Sequence, residues 1–183
     1  MYVGLFERET YPWLRKLSRN AKTAIDIGAA HGEYTIYFLK KTEAVTVLSF
    51  EPEESLMDSL KENLRLNGEE ASKRLALSTS FVGRENTGTH VCLDSFVNRI
   101  RGVCIIKLDV DGYEEDVIRG ARVLNTLPDV RWLIETHSAS LEHSCASYLQ
   151  SAGFHTEIIP NAWWRCIVPE LRPIHNRWLA AWK

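Results

Sequence analysis

The sequence predicts a doubly wound α/β fold: a mostly parallel, seven-stranded sheet that closes on a C-terminal antiparallel hairpin. Three observations predict it. Short apolar runs recur at 24–27, 44–50, 103–110 and 130–134, with the length and β-branching of buried parallel strands. Helical patterns with one apolar face alternate with them, as at 55–66 and 140–151. At 23–37, TAIDIGAAHGEYTIY reads as a strand, a turn of small residues and a helix start.

Residues 3–18 carry Val3, Leu5, Phe6, Trp13, Leu14 and Leu17 at helical spacing. An N-terminal helical cover within 1–20 is expected, kinked or broken at Pro12. The strand at 23–28 follows, then a helix at about 32–41 and a second strand at 44–50. In the helix at 55–66, Leu56, Met57, Leu60 and Leu64 form one face, Ser55 and Asp58 give a capping pattern, and Asn67-Gly68 ends it. RLALSTSFVG suggests a short third strand ending near Leu77-Ser78, and GRENTGTH a loop or hairpin. CLDSFV (92–97) is a short extended piece entering a turn or helix. VCIIKLDV (103–110) is a buried strand with Lys107 and Asp109 embedded, and such charges must be paired or stand at the strand's end. Asp111 to Glu114 starts the next helix, where D-x-x-E also reads as a capping box. That helix shows Val117, Ile118, Ala121 and Leu124 on one face, and Gly120 within it implies close packing on a neighbour. A fifth strand, VRWLI, ends in Glu135-Thr136-His137. The helix at 140–151 is closed by Gly153, and strands at 155–160 and 163–171 are expected to form the hairpin. The tail at 172–183 reads as a short helix that covers the core or makes an oligomer contact through Trp178, Leu179 and Trp182.

Bulk properties narrow the function. With 183 residues the chain suits one domain. A net charge of −2 with scattered Lys and Arg gives no nucleic-acid footprint. No apolar run approaches the roughly 20 residues of a membrane span, and the N-terminus lacks a signal-peptide core. Cys92, Cys104, Cys145 and Cys166 are far apart and suit free thiols in a reducing cytoplasm. The six histidines show no zinc spacing.

The ligand class follows from Asp26, two residues before Gly28. An acid at the carboxyl end of the first strand would repel a pyrophosphate and attract a cation. S-adenosylmethionine, with a sulfonium and an ammonium, suits the pattern D-x-G-x-x-x-G. Glu51, first after the second strand and before Pro52, is placed to accept hydrogen bonds from a ribose diol. Ser78 would face the adenine if the third strand ends there. The cofactor-binding candidates are therefore Asp26, Gly28, Ala29, Ala30, His31, Gly32, Glu51, Pro52, Ser78 and Asp109. The catalytic candidates for a general base, all near strand ends, are Asp109, Glu135 and His137, of which His137 has the convenient ordinary pKa near 6.5. Asp109, Asp111 and Glu135 also offer oxygen ligands to a divalent ion. No metal is assigned, because Asp111 has its capping role. A nucleotide-dependent oxidoreductase and a non-catalytic binding module are the alternatives. Asp26 and the lack of G-x-G-x-x-G argue against the first.

AIDIGAAHGEYTIYF (24–38), FEPEESLMDSLKENLRLNG (50–68), CLDSFV (92–97) and IIKLDVDGYEEDVIRGA (105–121) together resemble the FkbM family of S-adenosylmethionine-dependent methyltransferases, and WLIETHS (132–138) is similar to its fifth-strand segment. The resemblance runs collinearly over about 24–155. It implies a Rossmann-like methyltransferase fold and O-methylation of a hydroxyl on a small molecule, sugar or lipid. The chain departs from the family at His31, commonly Asn, and at Asp111, usually Glu, and its 68–92 segment is shorter than typical.

Overall fold

The computed structural model describes residues 7–166 and 176–183. Val3, Leu5 and Phe6 of the expected N-terminal helix, residues 167–171 of an expected strand and residues 172–175 of the tail lie outside them. A 3-10 turn at Arg8–Thr10 leads into α1 (Tyr11–Leu17). Pro12 lies in the first turn of α1, where its missing N–H costs no helical bond, so it starts the helix rather than kinking it.

Next come β1 (Thr23–Ile27), α2 (Glu33–Lys41), β2 (Thr46–Phe50), α3 (Glu54–Leu66) and β3 (Leu75–Ser78). The N-cap of α3 is Glu53, and Ser55 donates its hydroxyl to the Glu53 carboxylate at 2.5 Å instead of capping. β4 (Phe81–Val82) and β5 (His90–Val91) form a separate two-stranded parallel pair, where a loop or hairpin was expected. A 3-10 segment at Leu93–Arg99 precedes β6 (Cys104–Leu108), α4 (Glu114–Arg119), β7 (Val130–Thr136) and α5 (Ala139–Ser151). Tyr113, not Asp111, is the N-cap of α4. A Cβ on Gly120 would fall 2.1 Å from the Gly83 carbonyl oxygen, which is the close packing its position implied.

β8 (His155–Ile159) and β9 (Arg177–Trp182) complete the chain. The terminal antiparallel pair exists, but with a different second strand. Trp163–Cys166 is a 3-10 turn, and the tail expected to be helical is β9. The main sheet has seven strands in the order β3-β2-β1-β6-β7-β9-β8. β9 lies between β7 and β8, antiparallel to both, and the remaining neighbours in the sheet are parallel.

Helices cover both faces. On one, Leu14, Leu17, Phe38, Leu39, Leu60 and Leu64 of α1, α2 and α3 meet Ala24, Val47, Ile105 and Leu133. On the other, Val117, Ile118, Cys145 and Leu149 of α4 and α5 meet Ile25, Leu48, Ile106 and Trp132. Every residue of β1 and of β6 is buried. These are the two central strands, and their carboxyl ends frame the site.

Candidate active site at the carboxyl edge of the sheet

Strand register puts Asp26 beside Ser49 on one side and Lys107 on the other. This polar row faces α2, and Thr35 of α2 reaches down to it. The Thr35 hydroxyl lies 2.7 Å from both the Asp26 carboxylate and the Ser49 hydroxyl. Asp26 is fully buried, so its carboxylate stands under the turn and not on the crevice rim as expected. Burial raises its pKa above the ordinary value, against the opposing pull of Lys107 and Thr35. Lys107 donates to the Gly28 carbonyl at 2.7 Å and lies 3.6 Å from Asp26 and 3.5 Å from Asp109. Its ammonium sits over the Tyr34 ring. Burial opposes its charge, but Asp109 and Asp26 more than offset this, and Lys107 is held protonated.

The turn after β1 is left-handed at Gly28, Ala30 and Gly32. Protein packing already dictates both glycines. A Cβ at Gly28 would lie 1.8 Å from the Asp109 carbonyl oxygen, and one at Gly32 would lie 2.9 Å from Leu60 of α3. The Gly28 and Ala29 N–H groups both donate to the Phe50 carbonyl at 3.0 Å, fixing the turn to the end of β2. The buried Glu51 carboxylate accepts the Ala30 N–H at 2.8 Å and the Glu53 N–H at 2.9 Å. Glu51 donates its own N–H to the Ser78 carbonyl at 3.0 Å, which brings the ends of β2 and β3 together beside half-buried Pro52. His31 is exposed, and its carbonyl accepts a hydrogen bond from Asn63 at 2.8 Å.

Across the turn, Asp109, Glu135 and His137 converge, with one ligand-type atom of each lying within 4.8 Å of the others. Glu135 is buried, and Asp109 is 29 % exposed at its side chain. His137 Nε2 lies 3.0 Å from Asp111 and 3.6 Å from Asp109, while Nδ1 meets Glu114, which is fully buried. Burial disfavours the imidazolium, but the Glu114 hydrogen bond and the charges of Glu114, Asp109 and Glu135 outweigh it and push the His137 pKa up to about 9. That value lies well above the pKa near 6.5 that made His137 a candidate base. Asp111, with its side chain 99 % exposed, contacts His137 and does not cap α4.

Three participants were not singled out from the sequence. Lys107 was marked only as a charge needing a partner, Glu114 only as a capping residue, and Tyr34 not at all. Tyr34 donates its hydroxyl to Glu7 at 2.9 Å. Tyr34 and Glu7 also line a cavity of about 660 Å³ between α1 and α2, together with Tyr11, Arg15 and Tyr37.

The sheet order, the reversed β9 and the acidic strand ends define a class: the Rossmann-like methyltransferase fold. Among solved structures, the chain is similar to the methyltransferase FkbM from Methylobacillus flagellatus KT, with a TM-score of 0.70 at 16 % identity over 88 % of this chain. The match spans 44 % of the length of that protein. Precorrin-6y C5,15-methyltransferase from Geobacter metallireducens GS-15 is similar with a TM-score of 0.62 at 11 % identity, over 96 % of this chain and 88 % of that one. The methyltransferase domain of bacterial CtHen1 gives a TM-score of 0.63 at 14 % identity, over 98 % of both chains. No family model and no curated protein sequence matches the chain.

Proposed function

We propose that the protein is an S-adenosylmethionine-dependent methyltransferase that methylates a hydroxyl of a small-molecule acceptor. The observation that carries the reading is the set of carboxylates at the strand ends, Glu51 after β2, Asp109 after β6 and Glu135 at the end of β7, around a left-handed turn. Such a donor set fits a cationic ligand with a diol and disfavours a pyrophosphate. Glu51 fits the diol because each of its oxygens accepts one N–H and keeps a lone pair. When bound, S-adenosylmethionine supplies an electrophilic methyl on a sulfonium, and the acceptor oxygen takes that methyl as the carbon–sulfur bond breaks.

The chain's own residues do the rest. Glu51 holds the ribose hydroxyls, and Gly28 to Gly32 with Pro52 and Ser78 shape the bed beneath. Asp109 is the more open of the two strand-end carboxylates beside His137 and takes the acceptor's proton. Lys107 and His137 hold its two oxygens, at 3.5 and 3.6 Å. The likeness to FkbM methyltransferase supports methyl transfer as the reaction class.

Calorimetry on the full chain with S-adenosylmethionine, S-adenosylhomocysteine and NAD tests the cofactor. The first two should bind, and binding of NAD alone would overturn the reading. Methyl transfer across a panel of hydroxylated acceptors tests the rest. Product methylated only on carbon or nitrogen would remove the O-methylation assignment.

A further inference from the structure

We propose that Asp109, Glu135 and His137 bind one divalent cation of the Mn²⁺ type, which chelates the acceptor through two adjacent oxygens. Two carboxylates and one imidazole form a mixed oxygen and nitrogen donor set, suited to Mn²⁺ and its neighbours more than to a purely oxygen-seeking ion. Their donor atoms already lie within 4.8 Å of one another.

Two observations set this cluster apart from an ordinary acidic patch. The first is the setting of the histidine. The buried Glu114 carboxylate engages Nδ1, which turns Nε2 toward Asp109 and Asp111. A carboxylate on the far nitrogen is the arrangement that orients a metal-binding histidine. The second is Glu114 itself. The residue has no exposure, and its Oε2 has no hydrogen-bond partner. Its other oxygen meets His137 and accepts the Gly112 N–H, so Oε2 alone is a buried acceptor without a donor, and a divalent ion on the neighbouring His137 offsets its cost. On binding, the Nε2 proton leaves to solvent and its lone pair becomes the ligand. Asp111, exposed and 3.0 Å from Nε2, is free to swing onto the ion or away from it.

The acceptor class follows from the position of the site, and that half of the inference rests on the methyltransferase reading. Asp109 presents one oxygen toward His137 and the other toward Lys107, so one is placed to hold the ion while the other accepts the acceptor's proton. A hydroxyl bound to a divalent ion is far more acidic than a free one. An ion held by three protein atoms keeps open positions, and a vicinal diol or a hydroxyl beside a carbonyl fills two of them. The acceptor is then chosen by the spacing of its oxygens.

The test titrates the full chain with MnCl₂ in the absence of cofactor and follows free Mn²⁺ by electron paramagnetic resonance. One ion per chain should bind. Asp109→Asn and His137→Gln should each weaken uptake at least tenfold. Glu114→Gln, a positioning change, should weaken it by roughly 10–100-fold. Thermal melts of each variant separate loss of the site from loss of the fold. Uptake that is absent in the wild-type chain, or unchanged in folded Asp109→Asn and His137→Gln variants, overturns the metal site. Calorimetry with S-adenosylhomocysteine on the same samples is read separately: cofactor binding without Mn²⁺ uptake sinks this inference alone, and Mn²⁺ uptake without cofactor binding sinks the methyltransferase reading and leaves the metal site standing.

Discussion

Lys107 is a cation one residue from the end of a five-residue strand that is otherwise apolar and entirely buried. Its place is explained by the carboxylates on either side, Asp26 in register on β1 and Asp109 just beyond the strand. Lys107→Met should therefore destabilise the fold by about 3–5 kcal/mol, because it strands buried negative charge. Asp26→Asn in the same chain should restore part of that loss. Urea titration of the two single variants and the double variant measures the coupling, and strict additivity would refute it. At Glu51, the ribose assignment leads us to expect that Glu51→Ala weakens S-adenosylmethionine binding by about 2–4 kcal/mol, on the scale of two charge-assisted hydrogen bonds. Glu53→Ala should cost less, since the Glu53 carboxylate is exposed and accepts the Ser55 hydroxyl at 2.5 Å. The reverse order would transfer the role. Asp109, Glu135 and His137 were legible in the sequence because acids and a histidine that follow an apolar strand face its carboxyl edge. The partner of Lys107 was not legible, because cross-strand register is set by tertiary pairing. Glu114 was hidden by its spacing, since D-x-x-E has a local reading as a cap that the structure does not use. Gly28 and Gly32 also answer a packing demand that was not legible, because a glycine required by the Asp109 carbonyl or by Leu60 has the same sequence signature as a ligand bed.

At the scale of elements, the parallel strands were readable because burial on both faces makes each of them a short apolar run. β9 defeated the same reasoning. RWLAAW spaces Trp178, Leu179 and Trp182 as a helix would, and its two alanines favour helix as well. Pairing on both sides, with β7 and with β8, overrides that preference. Element junctions also carry sharp packing limits. Gly120 closes α4 with an ordinary negative φ, so helix preference alone would favour alanine there. The Gly83 carbonyl 2.1 Å from the new Cβ reverses the sign. Gly120→Ala should lower stability by about 1–3 kcal/mol through overpacking. Gly68 provides the contrast: its φ is +70° and nothing lies within 4 Å of the added carbon. Gly68→Ala should cost about 1–2 kcal/mol from backbone conformation alone. Thermal unfolding of the pair tests whether contact or conformation governs each site. A Gly120→Ala protein as stable as wild type would show that the β4 segment yields to α4.

The whole molecule depends on the late strand more than its position in the chain suggests. Leu179 pairs with Ile134 on one side and Ile158 on the other, and it shares one buried cluster with Cys104 and Cys145. Burial pushes both of these thiols up to about 12, so neither is reactive in the native state. They report on opening at two depths, Cys104 in central β6 and Cys145 in α5 beside the β7-β9-β8 edge. Leu179→Ala removes a fully buried side chain and should cost about 2–5 kcal/mol. If the sheet unfolds as one unit, that loss should speed alkylation of Cys104 and Cys145 equally, by about tenfold for each 1.4 kcal/mol. We expect this equal acceleration, because the cluster runs without a break from β9 to β1. Mass spectrometry after timed iodoacetamide labelling reads the two sites separately. Faster labelling at Cys145 alone would show that the reversed strand and its neighbours open as a sub-unit of lower stability. The carboxyl ends of β6 and β7, which hold Asp109 and Glu135, would then lie across the boundary between a rigid half of the sheet and a mobile one.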